Sequence, residues 1–312
     1  MYDLIIIGAG VTGLAAGMYA GRLNLKTLVL GATSDTEMAV GGVITMTEVV
    51  ENYPGFIRLT GHELAEKLKK HAEDYSDYVS IKNEKVLKVK KKGKEGCFTV
   101  KTEEKEYESK TILFATGTKW RKLPMKGAKE YESRGVHYCS LCDGAFFKNK
   151  VVCVVGGSDS AAKEALLLTQ YAKKVYMIYR GDKIRPEPIN GERIKANKKI
   201  EVILNTNILE IKGEKFVNKV ILDKAYKGKK ELALDGVFGA IGHLPLSDLA
   251  KEIGVKLNKN WEIIINHMDS TTNVPGVFAA GDVADKEFKQ AITGVAEGVT
   301  AAHSAYKYIN EN

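Results

Sequence analysis

The sequence is 312 residues long, which is enough for two domains, and its 44% hydrophobic and 28% charged residues are typical of a globular protein. Its net charge of +8 at pH 7 does not by itself indicate nucleic-acid binding, because no aromatic residues interleave with the lysines of its most basic stretch. Because four cysteines are too few for a disulfide-held scaffold and no apolar run approaches the ~20 residues that cross a bilayer, we expect a cytoplasmic protein without a membrane span.

The N-terminal pattern predicts a strand, a glycine turn, a helix and a second strand. "YDLIIIG" has no basic lead, and "GAGVTG", a helical "LAAGMYAGRLN" and an apolar "KTLVLG" follow it. This is the dinucleotide fingerprint, in which Gly8 allows the tight turn, Gly10 the close approach of a pyrophosphate and Gly13 the helix–strand packing. The acid expected at the end of the second strand is missing, because Gly31 stands there. Glu37 follows a few residues later, but nothing in the sequence assigns it to a ribose.

Two further β patterns follow in the chain. Residues 84–96, "EKVLKVKKKGKEG", alternate and end in glycines, which predicts a hairpin with a solvated face. Residues 111–118, "TILFATGT", predict a strand that ends in a turn of small residues. A basic surface such as that of the hairpin could help a small acidic partner to dock.

The stretch "HYCSLCDGAFF" places Cys139 and Cys142 two residues apart. A zinc site would need four ligands, but Cys153 lies in the apolar pattern "VVCVV", Cys97 is distant, and His137 would add only one ligand. We therefore predict no metal. A static disulfide is not expected in the cytosol, so we predict a redox-active pair, whose spacing lets one turn of backbone bring the sulfurs within bonding distance.

Asp143 follows the second cysteine directly. A carboxyl group that holds a proton could give it to a departing thiolate or take it from an attacking thiol. The same residue could equally be an acceptor in a turn or a helix N-cap, and the spacing alone does not separate these roles.

The strand, turn, helix and strand pattern recurs in residues 150–182. Here Gly156, Ser158 and Ala161 take the three fingerprint positions. Alanine at the third position still allows close packing, whereas a serine side chain at the second would crowd a pyrophosphate. Two such units in one chain predict two dinucleotides, and so electrons that pass between them.

The end of the second strand of this repeat carries arginines instead of an acid. An acid there favours NADH, whereas an arginine accommodates the extra phosphate of NADPH. In "IYRGDKIRPEP", Arg180 and Arg185 suit a phosphate group, although they could also be solvated loop residues. We predict NADPH as the donor, with NADH as the alternative.

Near the C-terminus, "VPGVFAAGDV" (residues 274–283) predicts another strand with Asp282 at its tip. An acid at such a strand end can bond the sugar-alcohol chain of a flavin cofactor. Asp282 could also be the N-cap of a helix predicted over residues 289–309, and both roles stay open.

The chain resembles the low-molecular-weight thioredoxin reductases, flavoproteins of the pyridine-nucleotide disulfide oxidoreductase superfamily, over nearly its whole length. The resemblance rests on "GAGVTGLAAGMYAGR", "GG" with "TEVVENYPGF", "ATGT", "CSLCDGAFF", "VVGGSDSAAKEAL", "AIGHLP" and "VFAAGDVADKEFKQAITGVAEG". The CxxCDG motif just before the second glycine turn is highly specific to this family, since the larger glutathione-reductase type carries its cysteine pair in the first domain.

The resemblance implies an α/β fold with two Rossmann-like three-layer dinucleotide-binding domains, the second inserted in the first. Residues 1–115 and 243–312 would form the FAD-binding domain, and residues 116–242 the NAD(P)H-binding domain that carries the CxxC pair. Glycines and prolines at both crossings suit a hinge. Members of the family are homodimers, mainly through the FAD domain, and we expect the same here.

The resemblance also implies residue roles. Cys142 would face the flavin, Cys139 would attack the protein disulfide, and Asp143 would be the general acid. The residues that would bind the two cofactors, FAD and NADPH, are Gly8, Gly10, Gly13, Gly42, Thr47, Asn52, Ala115, Gly117, Gly281, Asp282, Gln290 and Ala291 for the flavin, and Gly156, Ser158, Ala161, Arg180 and Arg185 for the nicotinamide nucleotide.

Several positions depart from the family pattern. Val43 replaces a common glutamine and Leu246 the usual asparagine. The family motif HRR, followed by an arginine four residues on, keeps Arg180 and Arg185 here but has Tyr179 and Gly181 at the other two positions. Some relatives with an eroded nucleotide site take electrons from ferredoxin or a deazaflavin.

The predicted function is therefore that of a thioredoxin-disulfide reductase. Hydride from NADPH would reduce FAD, the flavin would reduce the Cys139–Cys142 disulfide, and the dithiol would reduce thioredoxin or a glutaredoxin-like protein. The alternatives are a related flavin disulfide reductase that uses NADH, ferredoxin or a deazaflavin, a dithiol oxidase, and a flavin-binding redox sensor without turnover.

Overall fold

The computed structural model describes residues 1–31, 40–92 and 97–311, and Glu37 lies outside them. The chain divides into two compact units, which are unit 1 (Met1–Lys119 with Leu244–Asn312) and unit 2 (Trp120–His243). Unit 1 is thus assembled from two segments, and unit 2 is the continuous block between them. Within the described ranges, no helix has the length and apolar character that a membrane crossing requires.

Both units contain helices as well as strands. The chain begins with β1 (Tyr2–Ile7), β2 (Ala9–Gly10), α1 (Val11–Arg22), β3 (Thr27–Gly31), β4 (Val40–Gly41), a 3₁₀ helix (Gly42–Met46), α2 (Gly61–Glu73), β5 (Val79–Asn83), β6 (Val86–Lys92), β7 (Cys97–Thr102), β8 (Glu106–Phe114) and β9 (Thr118–Trp120). It continues with β10 (Val136–His137), α3 (Ser140–Asp143), a 3₁₀ helix (Gly144–Phe147), β11 (Val151–Val155), α4 (Asp159–Leu168), β12 (Lys174–Ile178), α5 (Pro188–Ala196), β13 (Ile200–Ile203), β14 (Ile208–Gly213), β15 (Val217–Tyr226), β16 (Lys229–Ala233) and β17 (Gly236–Gly239). It ends with β18 (His243–Pro245), α6 (Asp248–Glu252), β19 (Val277–Ala279) and α7 (Ala291–Glu311).

The main sheet of unit 1 is mixed. Among the described residues it contains seven strands, in the order β5-β3-β1-β8-β7-β6, and β19 pairs with β8. Strands β5, β3, β1, β8 and β19 run parallel to one another. Strand β7 is antiparallel to β8, and with β6 it forms the antiparallel hairpin that the lysine-rich stretch predicts. The short strands β9 and β18, at the two crossings between the units, pair with each other.

Strand β1 explains why this sheet is covered on both faces. Successive side chains of a strand point to opposite faces, so Leu4 and Ile6 pack into a cluster with the alanines of α1 and α7. Ile5 and Ile7 pack into a second cluster on the other face. All four side chains are buried, which is typical of a parallel strand and accounts for the continuous apolar run in the sequence.

Unit 2 repeats this plan on a smaller scale. Its described residues form a five-stranded sheet in the order β10-β17-β11-β12-β13, all parallel, and a three-stranded antiparallel sheet, β14-β15-β16. Val152 and Val154 of β11 pack against Ala161 and Ala165 of α4, whereas Cys153 between them points into the cluster on the other face.

Helices α1 and α7 approach each other closely at Thr12. A Cβ atom built on Gly281 or Gly294 would lie 2.6 or 2.5 Å from the Thr12 hydroxyl oxygen, and one on Gly298 would lie 2.4 Å from its carbonyl oxygen. Only glycine fits without a shift at these positions. The first and last helices of unit 1 are therefore packed directly against each other.

Candidate active site and nucleotide-binding turns

The first glycine turn lies at the carboxyl ends of the parallel strands of unit 1, where open α/β sheets bind their ligands. Gly8 has a φ of +116°, and a Cβ atom there would lie 2.1 Å from the Ala115 carbonyl oxygen. A Cβ atom on Gly13 would lie 1.8 Å from the Gly8 carbonyl oxygen. The predicted strand, turn, helix and strand are therefore confirmed, and the packing requires glycine at both positions.

The start of α1 offers backbone N–H groups to a ligand. Its N-cap is Gly10, no side chain caps it, and no acidic residue lies in its first turn. A Cβ atom on Gly10 would meet no atom nearer than 3.9 Å, so the space beside this residue is open. Because the first N–H groups of a helix lack partners within the helix, they favour an anion. The residues present therefore fit a diphosphate group such as that of FAD.

Gly42 lies beside this turn. Strands β2 and β4 pair Gly10 with Gly41, and a Cβ atom on Gly42 would lie 3.0 Å from the Gly10 Cα atom. Thr47 follows the 3₁₀ helix, and its N–H group donates a hydrogen bond of 2.9 Å to the Ile44 carbonyl oxygen. Two predicted flavin residues, Gly10 and Gly42, are thus brought together by the backbone.

Ala115 and Gly117 follow β8 at the same edge of the sheet. Gly117 has a φ of +65°, and a Cβ atom on it would find no atom within 4 Å. Its carbonyl oxygen accepts the Leu246 N–H group at 3.0 Å, and the Thr116 hydroxyl group donates to the Leu246 carbonyl oxygen at 2.7 Å. Leu246, one of the departures from the family pattern, therefore contacts this turn through its backbone.

Asn52 and Gln290 meet although they are 238 positions apart in the sequence. The Asn52 Nδ2 atom donates to the Gln290 Oε1 atom at 2.9 Å. Ala291, the next residue, begins α7, two residues later than the sequence predicts. The loop after the first 3₁₀ helix and the start of the last helix are therefore joined at one point, where the resemblance places the flavin ring.

The N-cap interpretation of Asp282 is wrong. Helix α7 begins at Ala291, so Asp282 lies well before it, in the turn that follows β19. Its carbonyl oxygen accepts a hydrogen bond from the Lys289 Nζ atom at 2.7 Å. Asp282 is half-buried at the edge where Gly8 also lies. Of the two roles that the sequence suggested for Asp282, helix N-cap and cofactor contact, this position still permits only the second.

An ion pair that the sequence did not reveal holds the turn after β19. The Gly281 N–H group donates to the Glu297 Oε2 atom at 2.8 Å, and the Lys286 Nζ atom lies 2.9 Å from the same oxygen. The Lys286 side chain is 8% exposed. Since this carboxylate satisfies both a backbone donor and a buried cation, we conclude that it fixes the loop between β19 and α7.

The cysteine pair of unit 2 forms a disulfide between Cys139 and Cys142. Cys139 is the N-cap of α3, and its Sγ atom accepts a hydrogen bond from the Cys142 N–H group at 3.1 Å. Cys139 is buried, whereas Cys142 is exposed. The two sulfurs therefore occupy different environments, one inside a short helical turn and one open to solvent.

Asp143 ends the same short helix and contacts a histidine. The His137 Nδ1 atom lies 2.9 Å from the Asp143 Oδ2 atom, and the two side chains are 10% and 29% exposed. The Asp143 N–H group donates to the Cys139 carbonyl oxygen at 3.2 Å. The carboxyl group is thus tied to the redox helix by its backbone and to β10 by its side chain.

A second carboxyl group lies behind the redox helix. The Glu164 Oε2 atom, from α4, accepts the Ser140 N–H group at 2.8 Å. Burial raises the pKa of Glu164, and the hydrogen bonds with Ser140 only partly oppose this effect. Ser140, one of the two residues between the cysteines, is therefore anchored to a carboxyl group that tends to hold its proton.

The other two cysteines lie apart from the pair. Cys153 is fully buried in β11, where burial raises the pKa of its thiol and keeps it protonated. Cys97 is half-buried at the start of β7 in unit 1. In the part of the chain that the structure describes, no three His, Cys, Asp or Glu side chains are grouped to hold a metal ion.

The second glycine turn follows β11 and has the predicted backbone. Gly156 has a φ of +153°, and a Cβ atom there would lie 2.3 Å from the Ala240 carbonyl oxygen and 3.0 Å from the Ala161 Cβ atom. Ala161 is fully buried against this turn, whereas Ser158, the N-cap of α4, is exposed and makes no capping hydrogen bond. The alanine and the serine thus face in different directions, one into the core and one to solvent.

An aromatic ring covers this turn. A Cβ atom on Gly157 would lie 2.5 Å from the Tyr179 ring, and one on Gly181 would also lie 2.5 Å from it. The ring therefore fits between these residues because both are glycine. Arg180 and Arg185 are exposed, and the Arg185 N–H group donates to the Gly157 carbonyl oxygen at 2.6 Å. The backbone that carries both predicted arginines therefore lies beside the turn, and their side chains are exposed to solvent.

An acid opens the helix after the second turn. Asp159, the first residue of α4, lies 2.8 Å from the Lys163 Nζ atom and accepts the Glu187 N–H group at 2.8 Å. Burial acts to raise the pKa of Asp159, but these hydrogen bonds outweigh it and the pKa is lowered. The start of α4 therefore already carries a negative charge, which favours an anionic ligand less than the start of α1 does.

Comparison with known proteins decides the family. Residues 2–298 match the model of the pyridine nucleotide-disulphide oxidoreductase family. The chain belongs to this family. It is 38% identical to the thioredoxin reductase of Bacillus subtilis, with 100% of this chain and 96% of that protein covered. The solved thioredoxin reductase of Lactococcus lactis ("FR conformation") matches with a TM-score of 0.92, 37% identity and 100% coverage of both chains, and that of T. acidophilum with 0.89, 35% and 98%.

These matches confirm three predictions for this member of the pyridine nucleotide-disulphide oxidoreductase family. The α/β fold with two Rossmann-type domains is confirmed, and so is the resemblance to thioredoxin reductases. The chain is an oxidoreductase with a disulfide between the predicted cysteines. Membership of the family implies a flavin and a pyridine nucleotide.

Sequence reasoning missed several residues of this site, and one of them had a visible signal. Glu164 lies at helical spacing between Ala161, Ala165 and Leu168, which are all buried, so a carboxylate on an apolar face was detectable. The contact of His137 with Asp143 gave no such signal, because two residues six positions apart meet only once β10 and α3 are placed.

Proposed function

We propose that this protein is a thioredoxin-disulfide reductase. Two electrons from NADPH reach the Cys139–Cys142 disulfide by way of FAD, and the resulting dithiol reduces thioredoxin or a glutaredoxin-like protein. The observation that carries the proposal is the disulfide itself, on a short helix that ends in Asp143 and directly precedes a glycine turn. The similarity to thioredoxin reductases over the full chain supports it.

The proposed cofactor assignment follows the two turns. FAD occupies the domain of residues 1–115 and 243–312, and NADPH that of residues 116–242. The open start of α1 supports the first assignment. The proposed flavin contacts are Gly8, Gly10, Gly13, Gly42, Thr47, Asn52, Ala115, Gly117, Gly281, Asp282, Gln290 and Ala291. The proposed NADPH contacts are Gly156, Ser158, Ala161, Arg180 and Arg185.

FAD, when bound, supplies a carrier that accepts a hydride and passes two electrons to a disulfide. The rest of the chemistry belongs to this chain. Two electrons and one proton break the Cys139–Cys142 bond, which leaves Cys139 as a thiolate and Cys142 as a thiol, with the proton passing through Asp143. The Cys139 thiolate attacks the partner disulfide and forms a mixed disulfide, and one partner sulfur leaves as a thiolate that is protonated. Cys142 then attacks Cys139, which restores the internal disulfide and releases the reduced partner.

We further propose a cytoplasmic homodimer that binds neither nucleic acid nor a membrane. The homodimer is the state that the family resemblance implies, and light scattering during gel filtration tests it. A monomer at micromolar concentration would contradict this part of the proposal without touching the chemistry.

A different electron donor is the second candidate. The Tyr179 ring lies against Gly157, and Asp159 opens the helix that follows, so both border the turn that a pyrophosphate would approach. These features favour ferredoxin or a deazaflavin over a nicotinamide nucleotide. The disulfide chemistry would be the same with either donor. A dithiol oxidase would use the same residues and run this chemistry in reverse.

The decisive experiment is an anaerobic titration of the FAD-loaded protein with NADPH, and separately with NADH. The flavin spectrum and the number of free thiols are followed together. We expect NADPH to bleach the flavin and to expose two thiols per chain, and Cys139→Ser to abolish thioredoxin reduction. Bleaching by neither nucleotide, with thioredoxin reduction restored by reduced ferredoxin or deazaflavin, would establish the second candidate. Wild-type rates in Cys139→Ser would contradict the mechanism.

A further inference from the structure

The His137 ring is fixed in one orientation by its surroundings. It lies on β10, where His137 pairs with Phe238 of β17. Its ring centroid is 5.5 Å from that of Phe238, in a stacked arrangement, and 5.3 Å from that of Phe147, edge to face. With 10% of the side chain exposed, the imidazole has little freedom to rotate. The direction of its nitrogen atoms is therefore set by the packing of unit 2.

One of these nitrogens meets the carboxyl group next to the redox pair. The 2.9 Å separation joins His137 Nδ1 to Asp143 Oδ2 and leaves Asp143 Oδ1 outside this contact. A carboxyl group carries its proton on one oxygen at a time. If Oδ2 faces an imidazole N–H group, the proton that Asp143 exchanges has to sit on Oδ1.

We propose that His137 is a positioning residue for proton transfer at the redox pair. Its Nδ1 atom holds the Oδ2 atom of Asp143, so that Asp143 gives and takes its proton at Oδ1. The proposal rests on the proposed function, in which Asp143 exchanges a proton with sulfur. It adds that the 2.9 Å contact couples the two side chains mechanically, so that a change at His137 alters the position of the Asp143 carboxyl group.

The other charged groups around this pair are few in the described structure. Helix α4 contributes Glu164, which faces the redox helix through the Ser140 N–H group. The 3₁₀ helix 144–147 and β17 contribute no titratable side chain, and Tyr171 packs against Gly144. The Lys150 Nζ atom lies 5.5 Å from the centroid of the Phe147 ring, which separates it from His137. Glu164 is therefore the other acid that has to be considered in a pH profile.

The step assigned to the pair is a proton transfer and involves no change of oxidation state. The O–H bond at Asp143 Oδ1 breaks, an S–H bond forms on the thiolate that leaves a disulfide, and the carboxylate that remains is stabilised by the His137 N–H group. In the opposite direction, the carboxylate takes a proton from a thiol and makes it a nucleophile. The electrons for disulfide cleavage come from the donor of the proposed function.

The first test needs neither thioredoxin nor a nicotinamide nucleotide. The FAD-loaded protein is reduced with a phosphine, and the rate of alkylation of its two redox thiols by iodoacetamide is measured between pH 5 and 10. In His137→Phe, which keeps an aromatic ring between the two phenylalanines, Asp143 is no longer held at Oδ2. We therefore expect the alkylation profile of this variant to be displaced from the wild-type profile by about one pH unit or more.

The matched variants separate positioning from packing. His137→Asn keeps a hydrogen-bond donor near the Nδ1 position, so we expect its alkylation profile to stay close to that of the wild type. The control is His267→Phe, which removes another histidine–aspartate contact, that of His267 with Asp285 in unit 1. This variant should leave the alkylation profile unchanged.

The second test uses the complete reaction. In stopped-flow mixing of the two-electron-reduced enzyme with oxidised thioredoxin, His137→Phe should slow thiol–disulfide exchange about tenfold, and His137→Asn should recover most of that loss. An alkylation profile of His137→Phe that superimposes on the wild type would overturn the proposal, and so would equal slowing in both variants. If wild-type enzyme reduces no thioredoxin at all, the proposed function fails, while the alkylation profiles still decide the role of His137.

Discussion

The two glycine turns of this protein share a backbone and differ in what lies around it. In the first, Gly10 borders open space and α1 begins without an acid. In the second, Ser158 takes the same fingerprint position, Asp159 opens the helix, and the Tyr179 ring covers Gly157. Glycine spacing therefore predicts the course of the chain, whereas the neighbouring side chains decide how well the turn accepts a phosphate. We therefore expect the first turn to hold an anion more tightly than the second.

The largest effect should come from the third position of each turn. Gly13→Ala would place a Cβ atom 1.8 Å from the Gly8 carbonyl oxygen, so the helix has to move away from β1. We expect a loss of about 3 kcal/mol or more in the free energy of unfolding, measured in urea. The matched control is Ala161→Gly in the second turn, which creates no clash and should cost about 1 kcal/mol. Similar losses in both variants would mean that the two turns are not packed differently.

An exchange of the middle residues tests the openness of the first turn. Gly10→Ser has room for its side chain, so we expect the unfolding free energy of the flavin-free protein to change by less than ~0.5 kcal/mol. The dissociation constant for FAD should nevertheless rise about tenfold or more, because the hydroxymethyl group occupies the approach of the pyrophosphate. Fluorescence titration with FAD measures this. The reciprocal Ser158→Gly should leave FAD binding unchanged, and unaltered FAD affinity in Gly10→Ser would place the diphosphate elsewhere.

The acid at the start of α4 should have a smaller effect. Asp159→Asn removes a negative charge from the first helical turn, and we expect NADPH to bind about threefold more tightly by calorimetry. Asp248→Asn, at the start of α6 in unit 1, is the matched control and should not change NADPH binding.

Asp159 also gives a prediction for pH. Its pKa is lowered in the folded state from an ordinary value of 3.8, so the stability that it contributes is present above about pH 4 and is lost as the pH falls through the lower, folded value. Wild type and Asp159→Asn should therefore differ in unfolding free energy at pH 7 and converge at more acidic pH. A difference that stays constant down to pH 2 would contradict the assignment.

The smallest effect concerns Glu164, which has no counterpart on α1. Burial raises its folded pKa above the ordinary 4.5, so its contribution to stability is complete below pH 4.5 and is lost as the pH rises through the folded value. Glu164→Gln does not titrate, and we expect it to gain on wild type by up to ~1 kcal/mol between pH 4.5 and pH 8 in urea unfolding. Glu192→Gln, on an exposed position of α5, is the control, and parallel pH profiles for wild type and Glu164→Gln would contradict the prediction.

The sequence predicted what short-range patterns determine. The glycines at 8, 10 and 13 predicted the first turn, and the alternation of residues 84–96 predicted the hairpin, of which β6 and β7 lie within the described residues. The spacing of Cys139 and Cys142 predicted their bond. In each case the residues that interact are close in the chain or belong to one repeating unit, so local geometry was sufficient.

Contacts that depend on the packing of distant elements escaped the sequence. Asn52 reaches Gln290 only because α7 is packed against α1 by the small residues around Thr12. Asp282 looked equally suited to a cap and to a cofactor, and only the start of α7 at Ala291 removed the first role. Glu37, an acid that follows the second strand by a few residues, lies outside the described residues.

The packing of Thr12 against Gly281, Gly294 and Gly298 has a consequence for synthesis on the ribosome. Strand β19 and helix α7 are made last, so a nascent chain that has only its first two hundred and fifty or so residues exposed lacks one strand of the main sheet and the partner of its first helix. Unit 2 has no such dependence, because its residues are contiguous. We therefore expect the inserted unit to acquire its tertiary structure before the unit that surrounds it.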